Sequence, residues 1–145
     1  MYKKNLLIEK QNIINLFNKK KFNKISNISS KTRGLFEDQA DIIKIFVMSD
    51  LNTNNFIKAE QLLKKVLPKN NTAEFNYILG NIFKIQNKDD EAIGAYKKSL
   101  SINKNFSEAY NNLANVQKKN EIFDEALLNY ENAIKTNENN IEAYY

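Results

Sequence analysis

The sequence predicts an all-α fold built from antiparallel helical hairpins. Three observations carry this. A residue pattern recurs with a period of 34. Apolar residues within each period fall at helical spacing. Helix breakers are scarce, with Gly at 3 and Pro at 1 in 145 residues, too few for the many tight turns of an all-β chain.

The period is clearest when residues 73–106 are set under 107–140. Leu79 falls on Leu113, Gly80 on Ala114 and Asn81 on Asn115. Asp90-Glu91-Ala92 falls on Asp124-Glu125-Ala126, Tyr96 on Tyr130, and Ser99 on Ala133. Small residues at Gly80/Ala114, Ala92/Ala126 and Ser99/Ala133 suit places where two helix backbones approach closely. Bulky residues at Leu79/Leu113, Phe83 and Tyr96/Tyr130 fill the space between.

Each period reads as two helices. Ala109, Tyr110, Leu113, Ala114 and Val116 form one apolar stripe. Ile122, Phe123, Ala126, Leu127, Tyr130, Ala133 and Ile134 form a second. Lys118-Lys119-Asn120-Glu121 is the polar break between them. Ser107 is the expected N-cap of the first helix, and Asp124-Glu125 enrich the first turn of the second.

The segments Tyr110-x-x-Leu113-Ala114 and Ala126-x-x-x-Tyr130 resemble the tetratricopeptide repeat signature, as do Leu79-Gly80-x-x-Phe83 and Ala92-x-x-x-Tyr96. The sequence departs from that pattern at Lys104 and Glu138 (often Pro), Asn76 (Trp or Tyr) and Gln117 (Tyr). The resemblance implies a right-handed α-solenoid of about four hairpins plus the start of a fifth. Residues 73–106 and 107–140 are the two regular units. Residues 40–72 form a degenerate one, with Ile42, Ile43, Ile45, Phe46 and Val47 on its first helix and Ala59, Leu63 and Val66 on its second. Val47 is bulkier than the usual Gly or Ala, and Pro68 ends the second helix near Leu67. Residues 1–39 read as an atypical terminal hairpin, in which Ile13, Leu16 and Phe17 give one stripe and the pattern decays over Ser26–Thr32. Residues 141–145, Ile-Glu-Ala-Tyr-Tyr, repeat the opening of the preceding unit and read as the start of a truncated further repeat.

Composition excludes several functions. Cysteine and histidine are absent, which removes disulfides, thiolate nucleophiles, histidine bases and the usual zinc sites. No glycine-rich phosphate loop exists. No catalytic set converges, and no cofactor is implied. The apolar start at Leu6-Leu7-Ile8 stops at Glu9, short of the about 7–15 apolar residues of a secretory leader. No run approaches the ~18 apolar residues of a membrane span. The reading is of a cytoplasmic protein. The net charge of +5 is uneven: residues 1–36 hold nine Lys/Arg against one acid, and residues 107–145 hold three Lys against seven acids. The basic end could meet an anionic partner. Lys19-Lys20-Lys21 lacks the aromatic platform that single-stranded nucleic acid needs.

The resemblance places the first helix of each unit on a concave, partner-binding groove. The groove positions of 73–106 are Glu74, Tyr77, Ile78, Asn81, Lys84 and Ile85. Those of 107–140 are Glu108, Asn111, Asn112, Asn115, Lys118 and Lys119. Asn offers a donor and an acceptor and so can hold a peptide backbone without reading its side chains. The run Ala109–Asn115 is similar to repeats of the superhelix that precedes the catalytic part of protein O-linked N-acetylglucosamine transferases. Lys84, Lys118 and Lys119 stand where an acidic peptide or terminal carboxylate would lie, although only the two asparagines of a carboxylate clamp fit. The expected function is therefore a non-catalytic scaffold that binds a protein or peptide. The alternative is the recognition arm of a larger glycosyl-, sulfo- or methyltransferase whose catalytic part lies beyond residue 145. Apolar surface around Leu127, Tyr130 and Ile134 is expected to stay open to water and to favour self-association.

Overall fold

The computed structural model describes residues 2–142, and side chains over residues 5–137. Among these the chain is all-α, with no strand. It divides into two compact units, Met1–Asn70 and Asn71–Tyr145.

The first unit holds α1 (Tyr2–Asn18), α2 (Phe22–Ser26), α3 (Ser30–Gly34), α4 (Ala40–Asn52) and α5 (Phe56–Val66). Ile13, Ile25, Phe36, Ile42 and Phe46 pack together with no exposed surface. The Phe36 and Phe46 rings lie 6.3 Å apart. Val47 is fully buried. Helix α5 stops at Val66 with Leu67 as its C-cap, just before Pro68. Leu67 itself keeps helical angles (φ -54°, ψ -37°) against the usual bias of a residue preceding proline, and the proline, which has no N–H to donate, ends the helical ladder.

Where the sequence pattern decays, the unit is held by a polar cluster. Arg33 is 5% exposed and Asp50 fully buried. Their ion pair is a two-pronged fork, Nη1 to Oδ2 at 2.5 Å and Nη2 to Oδ1 at 2.9 Å. Arg33 Nη2 also donates to the carbonyls of Ile25 and Ser26, and Nε to that of Ile28. Ser26 Oγ donates to Asp50 Oδ1 at 2.7 Å, and Lys58 Nζ donates to the Ser26 carbonyl. A guanidinium is suited to this role because its planar donors reach carboxylate and carbonyls together. Short α2 and α3 leave carbonyls without helical partners, and Arg33 supplies them.

The second unit holds α6 (Ala73–Ile85), α7 (Asp89–Ile102), α8 (Ser107–Lys119) and α9 (Phe123–Glu142). Phe75, Leu79, Ile82, Phe83, Tyr96, Leu100, Leu113 and Val116 fill its core. The small residues sit at the close approaches: Ala92, Ser99 and Ala114 have no exposed surface. A Cβ added to Gly80 would lie 2.6 Å from the Tyr96 ring, so only glycine leaves that ring its seat. Asn76, where the repeat pattern has an aromatic, is buried and bonds the Thr72 carbonyl and Asn71 Oδ1.

One turn joins the two helices of every hairpin. Lys20, Asn54, Asn87 and Glu121 all have φ between 52 and 61°. In each case the following amide reaches back five residues: Lys21 to Leu16, Asn55 to Asp50, Lys88 to Phe83 and Ile122 to Gln117, at 2.8–2.9 Å. This is the Schellman closure of a helix end. It recurs in the hairpin of residues 1–39.

Two local expectations need correction. Ser107 is the first residue of α8 and not its N-cap; Phe106 holds the cap position, and Ser107 Oγ bonds Glu108. The capping hydroxyl of the second unit is Thr72, which accepts from the Phe75 amide at 3.1 Å. Helix α9 runs on through Ile141 and Glu142, with no turn where a further unit would open, and Glu138 offers none of the interruption that proline would. Residues 143–145 lie outside the described residues.

Candidate functional site

Helices α6, α8 and α9 of the second unit enclose an open concavity of about 600 Å³. Its lining comprises Tyr77 from α6, Ser107, Glu108, Asn111 and Asn112 from α8, and Tyr130, Ala133, Ile134 and Asn137 from α9. A volume of this size is in the range of ligand pockets, about 300–1,000 Å³.

Three of the sequence-predicted residues, the lining residues Tyr77 and Asn112 and the neighbouring Asn81, form one hydrogen-bonded set. Asn112 Nδ2 donates to Asn81 Oδ1 at 2.9 Å and to Tyr77 Oη at 3.1 Å. Tyr96 Oη donates to the same Asn81 oxygen at 2.7 Å. One period later, Tyr130 Oη donates to Asn115 Oδ1, also at 2.7 Å. Burial first, and Tyr77 second, push the Tyr96 phenol far above its ordinary pKa, so it remains a donor. Asn81 and Asn115 therefore spend their carbonyl oxygens on tyrosines of the second helix. Their side-chain NH2 groups make no hydrogen bond among the described residues. Asn111 is exposed on the concavity.

The lysines divide. Lys84 Nζ leans on Asn112 Oδ1 at 3.4 Å. Lys119 pairs with Asp89 at 2.7 Å, which ties α8 to α7. Lys118 is exposed and is not part of the lining. Ile78, placed in the groove by its register, is instead 7% exposed and belongs to the core, because its position turns it toward the neighbouring helix.

The basic first unit pairs off much of its charge. Lys10 meets Asp41 at 2.9 Å, Lys65 meets Glu37 at 2.5 Å, and Arg33 meets Asp50. The Lys10 hydrogen bond, chiefly, holds the Asp41 carboxyl below its ordinary pKa. Lys58 is pushed down by burial and then by Arg33. Among the described residues no cluster of acids could hold a metal ion, and no helix is long and apolar enough to cross a membrane.

The sequence matches family models over its regular part. One described as TPR repeat covers residues 80–121, and one described as Tetratricopeptide repeat covers 107–140. Residues 80–140 are tetratricopeptide repeats. The chain is thereby a helical-repeat protein of the tetratricopeptide type, a protein-interaction scaffold in general terms. Both models describe the repeat broadly and do not distinguish the glycosyltransferase-like subtype. No curated protein matches the sequence. Among solved structures, a crystal structure of the MamA protein is 21% identical, with 96% of this chain and 76% of that one aligned at a TM-score of 0.82. A second MamA crystal structure is 24% identical over 79% of this chain and 67% of that one, at 0.70. MamA 41-end from Desulfovibrio magneticus RS-1 is 15% identical over 89% and 73%, at 0.77. At these identities the tetratricopeptide likeness speaks for the fold.

Proposed function

We propose that residues 73–137 hold an extended peptide segment of a partner protein, with Asn81, Asn111 and Asn115 meeting its backbone. One observation carries this reading. Asn81 and Asn115 have their oxygens fixed by Tyr96 and Tyr130, which orients each amide and leaves its NH2 group for an outside acceptor. A donor fixed in advance loses little entropy when it binds. Asn112 then acts as a brace that joins Asn81 to Tyr77, rather than as a free contact. Tyr77 lines the concavity, Lys84 rests on Asn112, and Lys118 is exposed on the same helix as Asn111 and Asn115. The absence of cysteine fits a reducing compartment such as the cytoplasm.

The test separates the outward amide from the inward bond. A randomised peptide library is panned on the protein, and retained peptides are measured by fluorescence anisotropy. The Asn81→Ala/Asn115→Ala protein should lose binding about tenfold or more, the equivalent of one to two hydrogen bonds. The Tyr96→Phe/Tyr130→Phe protein keeps both amides but lets them turn, and should lose part of the affinity, less than the alanine pair. Unchanged affinity in the alanine pair would refute the groove assignment.

A further inference from the structure

The geometry points to a cationic side chain, lysine or arginine, as the feature of the bound peptide that this concavity selects. This rests on the peptide-groove reading and adds the chemistry of the ligand. Among the described residues that line the concavity, Glu108 is the only acidic or basic side chain other than the tyrosines; it is exposed and sits on the first turn of α8. Tyr77 and Tyr130 line the same space. Their hydroxyls are engaged by Asn112 and Asn115, which fixes the rings at their outer ends. Aromatic faces attract a cation, and a carboxylate beside them adds to that attraction. Ala133 and Ile134, the latter 60% exposed, give an apolar wall for the methylene stem of a long basic side chain. Asn111, Asn112 and Asn137 supply neutral polar groups around it.

Of the three cations that sequence position offered to an acidic ligand, two are engaged by other side chains and the third, Lys118, lies outside the lining. Lys119 is held by Asp89, and Lys84 rests on the Asn112 oxygen. The surrounding charge agrees, since residues 107–145 carry seven acids against three lysines. An acidic peptide would meet Glu108 as a like charge. A basic one meets an opposite charge and two tyrosine rings.

The experiment uses three fluorescein-labelled peptides on one Gly/Ser/Ala backbone, with Arg, Leu or Asp at two central positions. Binding to the full chain is read by anisotropy at low and at physiological salt. The Arg peptide should bind about tenfold tighter than the Asp peptide, and the gap should narrow with salt. Glu108→Gln should remove most of the preference, and Glu108→Lys should reverse it. Glu108 is exposed, so both variants should fold. Tyr130→Leu frees the Asn115 amide and so should weaken every peptide somewhat, but it should weaken the Arg peptide about threefold or more beyond the loss for the Leu peptide. Equal affinities, or tighter binding of the Asp peptide, would overturn the inference and leave the groove reading standing. No binding by any of the three would overturn both. A dimer in sedimentation that the Arg peptide fails to dissociate would show a second copy in the groove and overturn the inference as well.

Discussion

Tyr96 Oη donates to Asn81 Oδ1 at 2.7 Å, and one period later Tyr130 Oη donates to Asn115 Oδ1 at the same distance. The repeat therefore copies a hydrogen bond between its two helices as well as its packing. The two copies differ in surroundings, because Tyr96 is fully buried and Tyr130 half-buried. Tyr96→Phe should cost about 1 kcal/mol in urea denaturation, the usual net value of a protein hydrogen bond. Tyr130→Phe, whose partner can turn to water, should cost about half that or less. Equal losses would contradict the difference in burial.

The glycines of α6 and α7 should respond in opposite senses. Gly80→Ala places a methyl against the Tyr96 ring and should destabilise by about 1–3 kcal/mol, as overpacking does. Gly94 has open space where its Cβ would be. Gly94→Ala should stabilise by about 0.5–1 kcal/mol through helix propensity. Thermal melts of the two single variants decide this, and a neutral Gly80→Ala would mean that the ring yields freely.

Breaking the buried fork of the first unit should be severe. Arg33→Met strands the Asp50 carboxylate and should cost about 3–5 kcal/mol. The double variant Arg33→Met/Asp50→Leu should recover a large part of that, because no unpaired charge remains. Hydrogen exchange of amides in residues 22–50 reads the effect directly. A double variant as damaged as the single one would show that the carbonyl bonds of Arg33, rather than its charge, hold the region.

The left-handed turns predict gains. Glu121 holds φ at 61°, which costs a non-glycine residue roughly 1–2 kcal/mol. Glu121→Gly should stabilise by about 1 kcal/mol, and Glu121→Val should destabilise. Asn87→Gly should gain less, since asparagine tolerates this region. A melt of Glu121→Gly below that of the parent would rule out strain at this turn.

Much of the second unit was legible in the sequence because its packing repeats. Leu79, Gly80, Ala92 and Tyr96 announce themselves when 34 residues later the same sizes recur at Leu113, Ala114, Ala126 and Tyr130. The first unit was less legible, because the Arg33–Asp50 fork has no period and joins residues 17 apart. One signal existed: Arg33 is a lone arginine in a chain whose other basic residues are all lysine. The turns at Lys20 and Glu121 were hidden because glycine, the usual sign of positive φ, is absent from them. Register put Tyr77, Asn111 and Asn112 on the face that lines the concavity, whereas Asn81, placed with them by register, lies outside the lining; register did not show the hydrogen bonds among them. Spacing along one helix carries no information on the tyrosine that approaches from the other, and Ile78 turned inward for the same reason.

The central claim is that the side-chain amides of Asn81, Asn111 and Asn115 receive a peptide. The most direct measurement is NMR of the asparagine side-chain NH2 resonances during titration with a peptide that the protein retains. Saturable shifts at Asn81, Asn111 and Asn115, with the amides of Asn52 and Asn55 in the first unit unmoved, are the predicted result. Saturation of binding with those three resonances in place would contradict it.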